Sequence, residues 1–165
     1  MSLTEAPTIA VSAACSAWEQ ALPEAVILAE VAATLALRRG EAPAAAVLDI
    51  TLTDDDEQRA LNRTWRGKDA ATNVLAFPAA DPDVPVPDGA PLLLGDVVLA
   101  FETVRREAEE QEKPLADHLR HLIVHGVLHL LGHDHENAAE AAIMEAREIA
   151  ILAELGVPNP YRDTI

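Results

Sequence analysis

His125 and His129 lie four residues apart in a stretch filled with apolar residues: Leu122, Ile123, Val124, Val127, Leu128, Leu130 and Leu131. Such a stretch folds as a helix buried on several sides, and it sets two imidazoles one turn apart on one face. Gly132 follows three residues later, where a helix can end in a left-handed residue and the chain turn back. That turn brings His135 round as a third nitrogen donor. Three protein ligands leave a fourth tetrahedral position for water, the arrangement of a catalytic rather than a closed structural zinc site. A lone histidine in such a helix is more often a satisfied core residue. Several on one stripe are harder to explain that way, because each needs its own partner away from water. His118 and His121 extend the stripe toward the helix start. His118 stands about 16 Å of helix rise from His129 and cannot share its ion; it is read as a surface or structural residue. Pairing His121 with His125 would leave the Gly132 turn and His135 unused, so His121 is read in a supporting or packing role.

The 165 residues suffice for one domain with a substantial core, expected to span 1–165 with 1–7 and 159–165 loose. Aromatic residues make up only 3%, so the core is built from Ala, Leu, Val and Ile. No apolar run is long enough to cross a bilayer, and the N-terminus lacks the basic-then-apolar pattern of a secretion signal. Cys15 is the single cysteine, which fits a reducing interior, and the cytoplasm is the expected compartment. The formal net charge of −16 argues against broad coating of nucleic acid. Arg59, Arg63, Arg66 and Lys68 nevertheless form a local basic window. Arg59 and Arg63 are expected to find partners in the acidic run Asp54, Asp55, Asp56 and Glu57.

Strands are predicted over Thr8–Val11, Ala44–Leu52, Val74–Phe77 and Gly95–Ala100. Helices are predicted over Glu24–Arg39, Thr53 or Asp54 to Trp65, Phe101–Gln111, Leu115–Leu131 and Ala138–Leu155. Ala79–Pro91, dense in Pro, Asp and Gly, reads as an exposed loop. The pattern is α/β (α+β): a small mixed four-stranded sheet, one strand antiparallel at an edge, packed with about five helices around a zincin-like metal-binding helix.

A zinc ion with an open position lowers the pKa of bound water to roughly 7, so hydrolysis is the natural reaction class. The histidine spacing matches that of metzincin peptidases, but the glutamate that follows their first histidine is Gly126 here. That glutamate is their general base, so peptidase activity is not expected. Asp134 is the carboxylate nearest the ligands, able to orient an imidazole or accept a proton, or simply to shape the turn.

The segment His125–His135, with Arg66-Gly67-Lys68-Asp69, Thr72-Asn73-Val74-Leu75-Ala76-Phe77-Pro78 and Leu94-Gly95-Asp96, resembles the bacterial rRNA maturation factor family called YbeY. The similarity runs from about Leu48 to Leu155. It implies a zinc ion, one per chain, on His125, His129 and His135, with another divalent metal an alternative. It implies a single-strand-specific endoribonuclease acting on the 3′ end of small-subunit rRNA and in ribosome quality control. The expected partners are single-stranded RNA and the ribosome or its proteins, with neither membrane nor DNA. Arg66 matches an arginine that the family places near the metal, where a guanidinium can clamp a phosphate; the alternative is a salt bridge to Asp69. Lys68, Thr72 and Asn73 are read as substrate-binding, with shaping of the turn as the alternative for Thr72 and Asn73. Trp65 is read as a core residue, with stacking on an unpaired base as the alternative. The family commonly has tyrosine at His133 and serine at Ala76. Two other readings stand beside this one: a ribosome-assembly factor whose zinc is mainly structural, and a metal-dependent hydrolase of another substrate.

Overall fold

Alternation of buried and exposed residues builds the sheet. In Ala46–Thr53, Ala46, Leu48, Ile50 and Leu52 face a common core while Asp49 faces outward. The structure, a computed structural model, describes residues 7–79, 92–133 and 137–161. Its elements in chain order are β1 (Thr8–Ala13), α1 (Ser16–Ala21), α2 (Ala25–Arg39), β2 (Ala46–Thr53), α3 (Asp55–Arg66), β3 (Val74–Pro78), β4 (Leu92–Ala100), α4 (Phe101–Glu110), α5 (Leu115–Leu130) and α6 (Ala138–Glu154). The sheet order is β1-β2-β4-β3. β1, β2 and β4 run parallel, and β3 is the antiparallel edge strand. This is the expected mixed α/β architecture, with α5 lying against β3 and β4.

The described residues hold six helices rather than five. The additional one, α1, is only six residues long, too short for helical periodicity to reveal. It buries Trp18, whose indole N–H donates to the Thr53 carbonyl at 2.9 Å and whose ring meets Phe101 edge-on at 5.1 Å. β4 begins at Leu92, three residues before the predicted start. The reason is a bulge: Val47 pairs with Leu93 and Leu48 with Gly95, so Leu94 is the extra residue. Gly95 sits at φ +141, and a Cβ there would lie 2.1 Å from the Phe77 carbonyl oxygen. The loop expected over Ala79–Pro91 falls, from residue 80 on, outside the described residues.

α2 packs on α5 through small residues, with Ala25, Ala29, Ala32, Ala33 and Ala36 all buried. The N-termini of α3 and α4 cap each other. Asp55 accepts from the Thr103 amide and hydroxyl, while Glu102 accepts from the Asp55 amide. Asp54 caps its own helix at the Glu57 amide. These caps use two acids of the run expected to partner the arginines; Arg59 instead makes a two-pronged ion pair with Asp69 at 2.7 and 3.0 Å.

Candidate metal centre

α5 ends as its sequence predicts. Leu131 is the C-cap, Gly132 takes φ +103, and the His133 amide bonds the Leu128 carbonyl 3.1 Å away. That closure satisfies carbonyls of the last turn. Asp134, His135 and Glu136 lie outside the described residues. His125 and His129 open onto one cavity of about 340 Å³, which Arg66, Asn73, Ala76, His121 and Tyr161 also line.

α5 lies close to the sheet because residue 126 is glycine. A Cβ there would stand 3.0 and 3.3 Å from the two methyl carbons of Val97, and 3.6 Å from a methyl of Val74. The position that carries the peptidase glutamate in metzincins therefore faces packed strands here, leaving no room for a carboxylate.

Behind His125 lies a residue that the sequence reading missed. Glu148 of α6 is completely buried, and its carboxylate accepts from His125 Nδ1 at 2.5 Å. Its second oxygen accepts from the Tyr161 hydroxyl. That hydroxyl in turn lies 3.3 Å from His121 Nε2, and His121 Nε2 is 3.8 Å from the carboxylate. Burial alone raises the Glu148 carboxyl, but hydrogen bonds from His121, His125 and Tyr161 outweigh it and hold the group at about 2. Burial and the same carboxylate push the Tyr161 hydroxyl up, so it stays a donor. A signal for Glu148 did exist: it sits on the helix stripe formed by buried Met144, Ile151 and Leu152, a carboxylate where an apolar residue is expected. Tyr161 carried none, and the tail expected to be loose from Asn159 is docked as far as this ring.

Among the described residues, His125 and His129 offer two imidazole donors of the kind a divalent metal takes. A carboxylate on Nδ1 fixes the His125 tautomer with Nε2 as the nitrogen that would ligate, the pattern in which ligating histidines are usually held. His129 stands one turn along the same face.

Arg66 is the last residue of α3, which Gly67 stops at φ +71. Its guanidinium donates to the Ala76 carbonyl at 2.5 Å and lies over the Phe77 ring, 5.2 Å from the centroid. The alternative of a salt bridge to Asp69 is not formed, because Arg59 takes that carboxylate. Asn73 lines the cavity, yet its side chain is engaged by Glu107 at 2.9 Å and by the Val74 amide at 2.6 Å. Thr72 is held through its amide by Gln58, and Lys68 is exposed on the turn after α3; neither lines the cavity. His118 is buried rather than at the surface, 2.8 Å from Glu107. Trp65 is 71% exposed and is not a core residue. It extends α3 beyond the residues that α3 buries, Gln58 and Asn62.

A family model described as "Endoribonuclease YbeY" matches residues 15–156. Curated proteins of that name are similar along most of the chain. The one from Paramagnetospirillum magneticum is 54% identical, covering 93% of this chain and 94% of its own. One from Bradyrhizobium sp. is 50% identical, covering 95% and 94%. Another, from Rhodopseudomonas palustris, is 60% identical over 70% of this chain and 60% of its own. The fold is similar to the solution structure of TM1509 from Thermotoga maritima, with a TM-score of 0.51, 22% identity, and coverage of 95% and 99%.

Proposed function

The chain belongs to the YbeY endoribonuclease family, and on that premise we propose that the cavity beside α5 is a divalent-metal centre where single-stranded RNA is cut. The protein is an endoribonuclease, a hydrolase acting on RNA. The observation that carries the finer reading is that Arg66, His125 and His129 share one cavity. Zinc is the metal proposed, held by His125, His129 and His135. When bound it supplies Lewis acidity and a water of lowered pKa.

The chain's own residues do the rest. Glu148 accepts a hydrogen bond from the His125 Nδ1–H, which would leave Nε2 to hold the metal. Tyr161 and His121 hold Glu148 in place. Arg66, a rigid fork of N–H donors, binds a non-bridging phosphate oxygen and stabilises the charge that grows there during attack. Asp134 is the nearby carboxylate proposed to orient a ligand or accept a proton, with Lys68, Thr72 and Asn73 as further contacts to the RNA. The proposed substrate is the 3′ end of small-subunit rRNA, and ribosome quality control the proposed setting, with the ribosome as partner in the cytoplasm. Among the described residues no helix is long and apolar enough to cross a membrane.

One observation favours a second reading. A net charge of −16 suits contact with basic ribosomal proteins, as in an assembly factor whose metal is mainly structural. The two readings part under chelation, with labelled single-stranded and duplex RNA as substrates. Loss of single-strand cleavage with the fold retained supports the catalytic centre. Unfolding on metal removal, with no turnover by loaded protein, supports the assembly factor.

A further inference from the structure

A second cavity, of about 600 Å³, lies on the α3 side of the sheet. Its lining includes Trp65, Arg66, Leu61, Phe77, Asp96 and Val98. That volume is within the range of about 300–1,000 Å³ typical of small-molecule pockets. Arg66 lines this cavity and the cavity beside α5 alike, so the two share that residue. The edge strand explains how. Successive residues of a strand face opposite ways, so Ala76 lines the first cavity and Phe77 the second.

The chemistry of the second cavity differs from that of the first. Trp65 is a large aromatic ring 71% exposed to solvent, on a mostly polar helix. Asp96 lines the cavity, and its register neighbour on β2 is Asp49. Two neighbouring carboxylates repel phosphate. They do attract N–H donors, and the aromatic wall offers a stacking surface beside them. Guanine presents two adjacent N–H groups on one edge, a match for the two oxygens of one carboxylate.

We propose that this cavity is a base subsite: with the phosphate to be cut held at Arg66, an adjacent unpaired base, guanine by preference, stacks on Trp65 and donates to Asp96. The inference rests on the metal cavity being the cleavage centre. It adds a source of preference that the histidine site lacks. Burial and the nearby Asp49 raise the Asp96 carboxyl, in keeping with an acceptor that gains from a donor partner.

Trp65 also provides the test. Trp18 is fully buried, so quenching by added oligonucleotide reports on Trp65. The 2′-O-methyl tetranucleotides UUGU and UUUU are titrated into metal-loaded protein, with anisotropy of end-labelled strands as an independent measure of binding. Cleavage of the unmodified strands is followed in parallel. UUGU is expected to quench and to bind roughly tenfold tighter than UUUU, about the worth of one base contact. Trp65→Ala should raise KM roughly tenfold with kcat little changed, Trp65→Phe should retain the wild-type KM, and Asp96→Asn should remove the guanine preference. Binding seen by anisotropy without quenching, or an unchanged KM in Trp65→Ala, overturns the subsite. Equal affinity for the two strands overturns the guanine preference. Quenching by a loaded protein that cuts neither strand keeps the subsite and sinks the cleavage reading; cutting without quenching does the reverse.

Discussion

Glu148 is the residue on which the site's geometry most depends. Replacing it with glutamine keeps the volume but weakens the hold on His125 Nδ1 and the Tyr161 hydroxyl. Loss of such a supporting carboxylate typically lowers metal affinity about 10- to 100-fold. Competition with a chromophoric chelator should show that drop in Glu148→Gln, and an unchanged affinity would mean that the carboxylate serves packing only. Gly126 makes a second residue-scale prediction. Gly126→Glu places atoms 3.0 Å from Val97 and should cost about 1–3 kcal/mol in a denaturant melt. The variant should gain no peptidase activity, because its new carboxylate faces the sheet. The two residues also mark the limits of reading a sequence. The absence of the peptidase glutamate was legible in Gly126, but the packing that excludes it needed Val97 and Val74 in space. The role of Glu148 depends on a contact across 23 residues that no local pattern encodes.

Among the elements, α5 was the most legible, since an apolar stripe, a histidine pair and Gly132 all agree on where it runs and stops. β3 and β4 were legible as strands, whereas the early start of β4 was hidden by the bulge at Gly95. α1 escaped notice because six residues carry no period. The contact between α4 and α5 yields a pH prediction. Burial lowers the His118 pKa from its usual 6.5, even though the hydrogen bond with Glu107 acts to raise it. The folded state therefore binds fewer protons at this site than the unfolded chain. Its contribution to stability is complete above about pH 6.5 and declines as pH falls from there toward the lowered folded value. Urea midpoints between pH 7.5 and 5 should fall for the wild type and fall less for His118→Asn. Parallel slopes would assign the acid sensitivity elsewhere.

For the molecule as a whole, charge is the governing quantity. With 28 acidic residues against 12 basic ones, the sequence supplies little positive charge to draw RNA in. On the proposed reading, binding rests on a few contacts at Arg66 rather than on many released counterions. The slope of log affinity against log salt for single-stranded RNA should be shallow, near −0.7 to −1.4, the value for about one or two neutralised phosphates. A steep slope would reveal an extended basic track that the described surface does not suggest. The mixed sheet and the placing of His125 and His129 on one helix were readable from pattern and spacing. Arg66's access to two cavities was not, because it depends on an edge strand only five residues long passing between them.

Single-turnover cleavage of a single-stranded RNA by metal-quantified wild type, Arg66→Ala and His129→Ala tests the central claim most directly. Arg66→Ala should keep its metal and lose cleavage at least about a hundredfold, as expected when one donor to developing charge is removed. His129→Ala should lose both metal and cleavage. A fully loaded Arg66→Ala protein that cuts at the wild-type rate would contradict the account, because the arginine and the histidines would then not belong to one catalytic centre.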